Sequence, residues 1–258
     1  MKVAILCGGL GTRLKEETEF RPKPLVEIGG KPILWHIMKI YSYAGFKDFV
    51  LCLGYKGDMI KNYFLNYETT ENDFTIDFSN KKSITLHNNS NKTEDWRITF
   101  ADTGLNSMTG ARVKRIEKFI DGNEFMLTYG DGVANVNVND IIKFHRNHDK
   151  IGTVLGVRPP SKFGEMALDT NRVISFVEKP NSTQGFVNGG FFVFKNGIFD
   201  YLNENEDCIL EKEPLENLAT NGQLMMYPHE GFWQCMDTYR DFLYLNQLWP
   251  NAPWKRLL

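Results

Sequence analysis

At 258 residues the chain is long enough to bury a sizeable core as one α/β domain. Charged residues make up 24% and nearly cancel to a formal net charge of −2, which argues against a broad nucleic-acid or anionic-membrane surface and makes any phosphate-binding charge local. The four cysteines, Cys7, Cys52, Cys208 and Cys235, include no C-x-x-C pair. They point to free thiols in a reduced, cytoplasmic protein rather than to a disulfide framework or a zinc site, and no apolar run is long enough for a secretion signal or a membrane span.

The first element is an apolar strand at residues 3–7 that opens into Gly8-Gly9-Leu10-Gly11-Thr12-Arg13, followed by Arg21-Pro22-Lys23-Pro24. A strand feeding a glycine-rich loop sets successive backbone N–H groups around a concavity that suits phosphate, with Arg13 and Lys23 near to match its charge. No Lys-Ser or Lys-Thr follows Gly11 as a mononucleotide P-loop requires, and Leu14 stands where a dinucleotide fingerprint needs its third small residue. Taken alone, Gly8-Gly9 is equally the mark of a tight turn. Next, Ile33, Leu34, Ile37, Met38 and Tyr41 recur at helical spacing behind Pro32 and before Gly45.

Further apolar runs at 49–53, 125–129 and 153–157 alternate with helical segments, so the fold class expected is α/β, a Rossmann-like, mostly parallel central sheet flanked by helices, in a single domain spanning 1–258. A polar, β-rich insertion is expected around 66–109, with residues 74–78 and 96–100 as antiparallel strands joined by a polar excursion at 81–95. Asn188-Gly189-Gly190 leads into a buried strand, and the proline-rich tail carries Trp249 and Trp254, which should seek burial.

Residues 125–132, FMLTYGDG, form an apolar strand ending in Asp131 between two glycines. A carboxylate at the end of a central strand suits Mg²⁺, a hard ion content with few protein ligands, although Gly-Asp-Gly is also an ordinary turn. A second apolar segment ends in Met236-Asp237-Thr238, where Asp237 or Thr238 could instead cap a following helix. After Asp102, the Thr103 hydroxyl is free to bond a pyrimidine edge or a triphosphate oxygen. Arg112 and Lys114 could reach a triphosphate or lie on a solvated strand. His145 and His148, without a third ligand, are expected at the surface or as caps, and His36 and Trp35 in the core.

In order along the chain, the glycine loop, Pro22-Lys23-Pro24, Gly130-Asp131, Glu178-Lys179-Pro180, Asn188-Gly189-Gly190 and Met236-Asp237 resemble the sugar-phosphate nucleotidylyltransferases over nearly the whole chain. Asp102-Thr103-Gly104, Met108-Thr109-Gly110 and Ala252-Pro253-Trp254-Lys255 are similar to the cytidylyltransferase branch. The resemblance implies the nucleotide-diphospho-sugar transferase type of fold, with CTP and glucose 1-phosphate as substrates and Mg²⁺ as cofactor. It assigns the nucleotide to Leu6, Cys7, Gly8, Gly9, Leu10, Gly11, Thr12, Arg13, Lys23, Thr103, Thr109 and Gly130. It assigns the sugar phosphate to Tyr129, Glu178, Lys179, Asn188, Gly189 and Gly190, and the metal to Asp131 and Asp237. Arg13, Lys23 and Asp131 would be catalytic. A homohexamer is also implied, in which the polar excursion and the Thr109 segment complete a neighbour's nucleotide site. Thymidylyl or uridylyl transfer would use the same residues, and a catalytically silent regulatory relative would have lost one of the lysines or metal carboxylates.

Overall fold

The computed structural model describes residues 1–79, 83–87, 94–159, 165–170, 172–177 and 185–257. Seven strands make the main sheet: β1 (Val3–Leu6), β2 (Asp48–Leu53), β3 (Arg97–Asp102), β4 (Glu124–Tyr129), β5 (Gly152–Val157), β6 (Val187–Lys195) and β7 (Leu224–His229). Their spatial order is β3-β2-β1-β4-β6-β5-β7, and only β6 runs antiparallel to its neighbours. The chain starts at β1, winds outward to β3 and returns to β4 on the other side. The strand order therefore reverses between β1 and β4, and a crevice opens beyond their carboxyl ends, where α/β sheets bind ligands.

Helices α1 (Ile33–Tyr43), α2 (Gly57–Leu65), α3 (Thr109–Arg115), α4 (Val138–Arg146), α5 (Glu213–Thr220) and α6 (Tyr239–Leu248) cover the sheet. Strand side chains alternate between faces, so β1 sends Val3 and Ile5 into a core with Ile37, Ile141 and Leu245, and Ala4 into a second core with Ala111, Val113 and Leu218. Burial on both faces explains why β1, β2 and β4 are continuous apolar runs. Helix α1 ends as its pattern predicts: Gly45 and Phe46 donate their N–H groups to Ser42 and Tyr41.

The insertion differs from expectation. Residues Phe74–Asp77 pair antiparallel with Ser83–Leu86, inside the stretch expected to be an irregular excursion. Arg97–Asp102 instead joins the main sheet as a parallel edge strand, in register from Asp48↔Arg97 to Leu53↔Asp102. In the tail Trp254 is fully buried, stacked on Phe232 at 5.3 Å, and its indole N–H points to Nδ1 of the buried His36 at 3.5 Å. The other His36 nitrogen lies 2.8 Å from the Ile28 carbonyl. His145, expected at the surface, is wholly buried, and both it and His148 bond the Thr153 hydroxyl, at 2.9 and 2.8 Å.

Candidate active site

The glycine loop leaves β1 at the point where the strand order reverses. Gly11 adopts φ +66°, which turns the chain into the short helical turn Thr12–Leu14. The Gly11 carbonyl accepts from Leu14 N–H and from the Thr18 hydroxyl, so the turn is tied from below. By contrast, the N–H groups of Gly9, Leu10 and Gly11 meet no acceptor among the described residues. Three neighbouring donors without protein partners form an anion cradle.

Beneath this loop lies Arg112, half of the reason for its glycines. The guanidinium donates to the carbonyls of Leu53 (3.0 Å), Gly104 (2.6 Å), Gly8 (2.9 Å) and Leu105 (3.2 Å) and to the Thr103 hydroxyl (2.9 Å). It is 4% exposed, and a side chain on Gly8 or Gly54 would occupy its slot, with a Cβ 2.2 and 2.5 Å from Nη1. Neither Arg112 nor Lys114 is on a strand. Both belong to α3, where Lys114 donates to the Phe199 carbonyl and pairs with Glu117. Burial weakens the proton affinity of Arg112, but nothing here approaches deprotonating a guanidinium.

Thr103 corrects a second expectation. It is fully buried, donates its hydroxyl proton to the Leu53 carbonyl at 2.7 Å and accepts from Arg112. Its side chain therefore holds the turns after β2 and β3 together and does not face the cavity.

Four charged groups meet at the carboxyl ends of β1 and β4. Lys23, on the short turn Lys23–Leu25 between two prolines, places Nζ 2.6 Å from Asp131 and 2.7 Å from Asp237. Arg13 reaches Asp237 at 3.1 Å. The two aspartates are brought together by a small antiparallel ribbon in which Gly132–Ala134 pairs with Trp233–Cys235. The register Cys235↔Gly132 continues as Met236 N–H to Asp131 carbonyl at 2.8 Å, which leaves Asp237 beside Asp131. Thr238, not Asp237, caps α6, in a reciprocal capping box with Asp241. Burial by itself would lower the Lys23 ammonium, but the two carboxylates outweigh it and its pKa is raised. Cys235 lies 3.8 Å from Asp237, and burial first, then the aspartates, push its thiol up to about 12, so it stays neutral. All four cysteines are free.

A cavity of about 660 Å³ covers this cluster, within the range of small-molecule sites. Its wall contains Leu6 through Arg13, Lys23, Thr109, Tyr129, Gly130, Asp131, Asn188 and Asp237, all singled out from the sequence. Sequence reasoning missed the 105–108 turn, Trp233 and Cys235, which also line it. Gly189 and Gly190 stand behind the wall: the Gly189 carbonyl accepts from the Trp233 indole at 2.7 Å, and a side chain on Gly190 would strike the Tyr129 ring. Glu178 and Lys179 lie outside the described residues.

On the side of the cavity nearest β6, hydrogen bonds run in series. Tyr129 Oη donates to Glu211 Oε1 at 2.6 Å and accepts from Asn188 Nδ2 at 3.0 Å, and Asn188 Oδ1 accepts from Gly190 N–H at 2.8 Å. The second Glu211 oxygen takes the Thr109 hydroxyl at 2.6 Å, and that hydroxyl accepts from Leu210 N–H. Burial, then Glu211, raise the Tyr129 phenol far above its ordinary range, so it remains a donor. Glu211 carries no sequence signal of its own, standing in Glu211-Lys212-Glu213-Pro214 like any charged helix entry.

An open anion cradle, two cations and paired carboxylates at the switch point of an α/β sheet define a nucleotide-handling transferase site. The nucleotidyl transferase family model matches residues 2–249, and the chain belongs to that family. It is 48% identical over 258 residues to a glucose-1-phosphate cytidylyltransferase of Salmonella typhi, covering 99% of each chain, and 46% identical over 257 residues to a probable glucose-1-phosphate cytidylyltransferase of Bacillus subtilis, again 99% of each. Among solved structures, HddC from Yersinia pseudotuberculosis has the same fold, with a TM-score of 0.70 and 23% identity over 96% of this chain and 99% of that one.

Proposed function

We propose that this enzyme is a glucose-1-phosphate cytidylyltransferase, joining CTP and glucose 1-phosphate into CDP-glucose and pyrophosphate. The carrying observation is the Lys23 ammonium held between Asp131 and Asp237 beside the open N–H groups of the glycine loop. Base and sugar follow from the full-length relatives.

A phosphate monoester has its second pKa near ~6, so glucose 1-phosphate is mostly dianionic at neutral pH and needs no general base. One of its oxygens forms the new bond to the α-phosphorus of CTP. The bond from that phosphorus to the bridging β-phosphate oxygen breaks, and its electron pair leaves with pyrophosphate. Gly9, Leu10 and Gly11 bind triphosphate oxygens through the backbone, with Leu6, Cys7, Gly8, Thr12, Thr109 and Gly130 shaping the wall. Arg13 and Lys23 neutralise charge that builds on the leaving pyrophosphate, and most of the rate gain comes from such positioning and electrostatics. Tyr129 and Asn188 face the sugar phosphate, with Gly189 and Gly190 supporting them. By resemblance, Lys179 holds the attacking phosphate and Glu178 or Asn188 the sugar hydroxyls.

Asp131 and Asp237 fit Mg²⁺: their hard oxygens already converge on one cationic atom, and Mg²⁺ needs only one or two carboxylates because it completes its shell with water and phosphate. When bound, the ion polarises the α-phosphate. The proposal extends to a cytoplasmic homohexamer, for which light scattering should give the mass of six copies. No helix among the described residues is long and apolar enough to cross a membrane.

The deciding experiment is pyrophosphate release by purified protein with Mg²⁺ and glucose 1-phosphate, with CTP, UTP, dTTP, ATP and GTP supplied separately. CTP far above the others is expected. A different preferred triphosphate would keep the transfer chemistry and overturn the base, whereas silence with all five would sink the proposal.

A further inference from the structure

Glu211 is absent from the cavity wall, yet its carboxylate is the terminus of every side-chain hydrogen bond that Tyr129 and Thr109 donate. A carboxylate only accepts, so Tyr129 must spend its single proton on Glu211. The phenol oxygen is then available only as an acceptor, and Asn188 must present its Nδ2 to it. That in turn directs Asn188 Oδ1 to Gly190 N–H, as observed. Glu211 at one end, which only accepts, and the Gly190 N–H at the other, which only donates, thus set the direction of the whole series, and Glu211 is the end that fixes the Tyr129 hydroxyl.

We propose that Glu211 is a positioning residue for the sugar phosphate, acting through Tyr129 and Asn188 without touching substrate. The inference rests on the function proposed above and adds a residue to it. The two arms of Glu211 are unequal in consequence. Thr109 is held independently, by the Leu210 N–H on its hydroxyl and by α3, whose Gly110 and Ala111 N–H groups both bond the Cys208 carbonyl. Among the described residues the Tyr129 hydroxyl has Asn188 as its only other partner. Asn188 Oδ1 stays on the Gly190 N–H, so Nδ2 still faces the phenol and cannot accept from it; loss of Glu211 leaves the phenol proton without its acceptor, and the hydroxyl rotates away from Asn188 to find another. The nucleotide side keeps its shape while the sugar side loses the anchor of its Asn188 donor.

Glu211→Leu puts an apolar side chain of similar length there and removes the acceptor. The expected result, read well below the lowered melting temperature that loss of two hydrogen bonds to a carboxylate brings, is a rise of about tenfold in KM for glucose 1-phosphate, the scale of one misdirected hydrogen bond, with the KM for CTP close to that of the parent. Glu211→Gln should recover most of this, because its one oxygen can still take the Tyr129 proton while Thr109 turns to accept from the amide. A merely structural role would lower stability and raise both KM values together and show no such rescue. Tyr129→Phe combined with Glu211→Leu should be no worse than Glu211→Leu alone, since both act through one hydrogen bond. Unchanged KM in Glu211→Leu, or independent multiplying effects in the double variant, would overturn the proposal while the parent enzyme's turnover stands. A parent protein that neither turns over nor binds glucose 1-phosphate in calorimetry would overturn the function and this role with it.

Discussion

Gly8→Ala tests what the first glycine of the loop is for. The phosphate cradle and the Arg112 slot both call for a small residue there, but they predict different losses. A Cβ on Gly8 would lie 2.2 Å from Arg112 Nη1, 2.3 Å from Cζ and 2.8 Å from Nε, whereas ordinary carbon contacts need about 3.5–4.0 Å. An exposed arginine would swing aside at little cost. This one is buried and held by five acceptors at 2.6–3.2 Å, so a shift of more than about 1 Å takes several of them out of bonding range. Hydrogen bonds to charged groups contribute about 1.5–3 kcal/mol each, so losing two costs about 3 kcal/mol or more. For a domain of this size that lowers the melting temperature by about 6–12 °C. The assay is thermal and urea unfolding of Gly8→Ala, Arg112→Met and the double variant. If the glycine clears the Arg112 slot, Gly8→Ala is strongly destabilising alone and nearly neutral once Arg112 is Met. If Gly8→Ala melts within about 1 °C of the parent and loses only affinity for CTP, the glycine serves phosphate approach and the reasoning is wrong.

Lys23→Met should abolish turnover yet bind Mn²⁺ about tenfold more tightly without nucleotide, because Asp131 and Asp237 lose the cation they share and gain mutual repulsion; unchanged Mn²⁺ binding by electron paramagnetic resonance would remove the aspartates from the metal site. Thr103→Val should cost about 1–3 kcal/mol in urea unfolding, through the lost bonds to Leu53 and Arg112, without altering the preferred triphosphate; a changed base preference would return Thr103 to the pocket. His36 and His145 are depressed to about 4, chiefly by burial. An unfolded chain protonates at about 6.5, so between about 6.5 and 4 it binds more protons than the native state, and stability falls as pH drops through that window. Urea midpoints across it should decline, and less steeply in His145→Gln; a flat profile would show that neither ring resists protonation.

What could be read from the sequence was what local chemistry dictates. The strands β1, β2 and β4 are legible because burial on both faces demands apolar runs, and the convergence of the glycine loop, Lys23, Asp131 and Asp237 on one cavity because each stands at the end of a recognisable strand or turn motif. Arg97–Asp102 was assigned the wrong partner because an edge strand alternates like one of a hairpin, and only the register with Asp48–Leu53 tells them apart. Thr103 looked available because a threonine after a strand usually is. Its burial depends on Arg112, and the burial of Arg112 depends on Gly8 and Gly54 both lacking side chains, a coincidence of three distant segments. Glu211 is the sharper case, since nothing local distinguishes it from Glu213 two residues on. Only the placement of the 206–211 segment across the start of α3, with the Glu206 and Cys208 carbonyls taking N–H groups of residues 108, 110 and 111, turns one glutamate toward Tyr129. Groups that bind a ligand are constrained by the ligand and leave a motif. Groups that hold those side chains in place are constrained by the fold alone, where a carbonyl, a hydroxyl or a carboxylate can each serve, so they become visible only once the elements are packed.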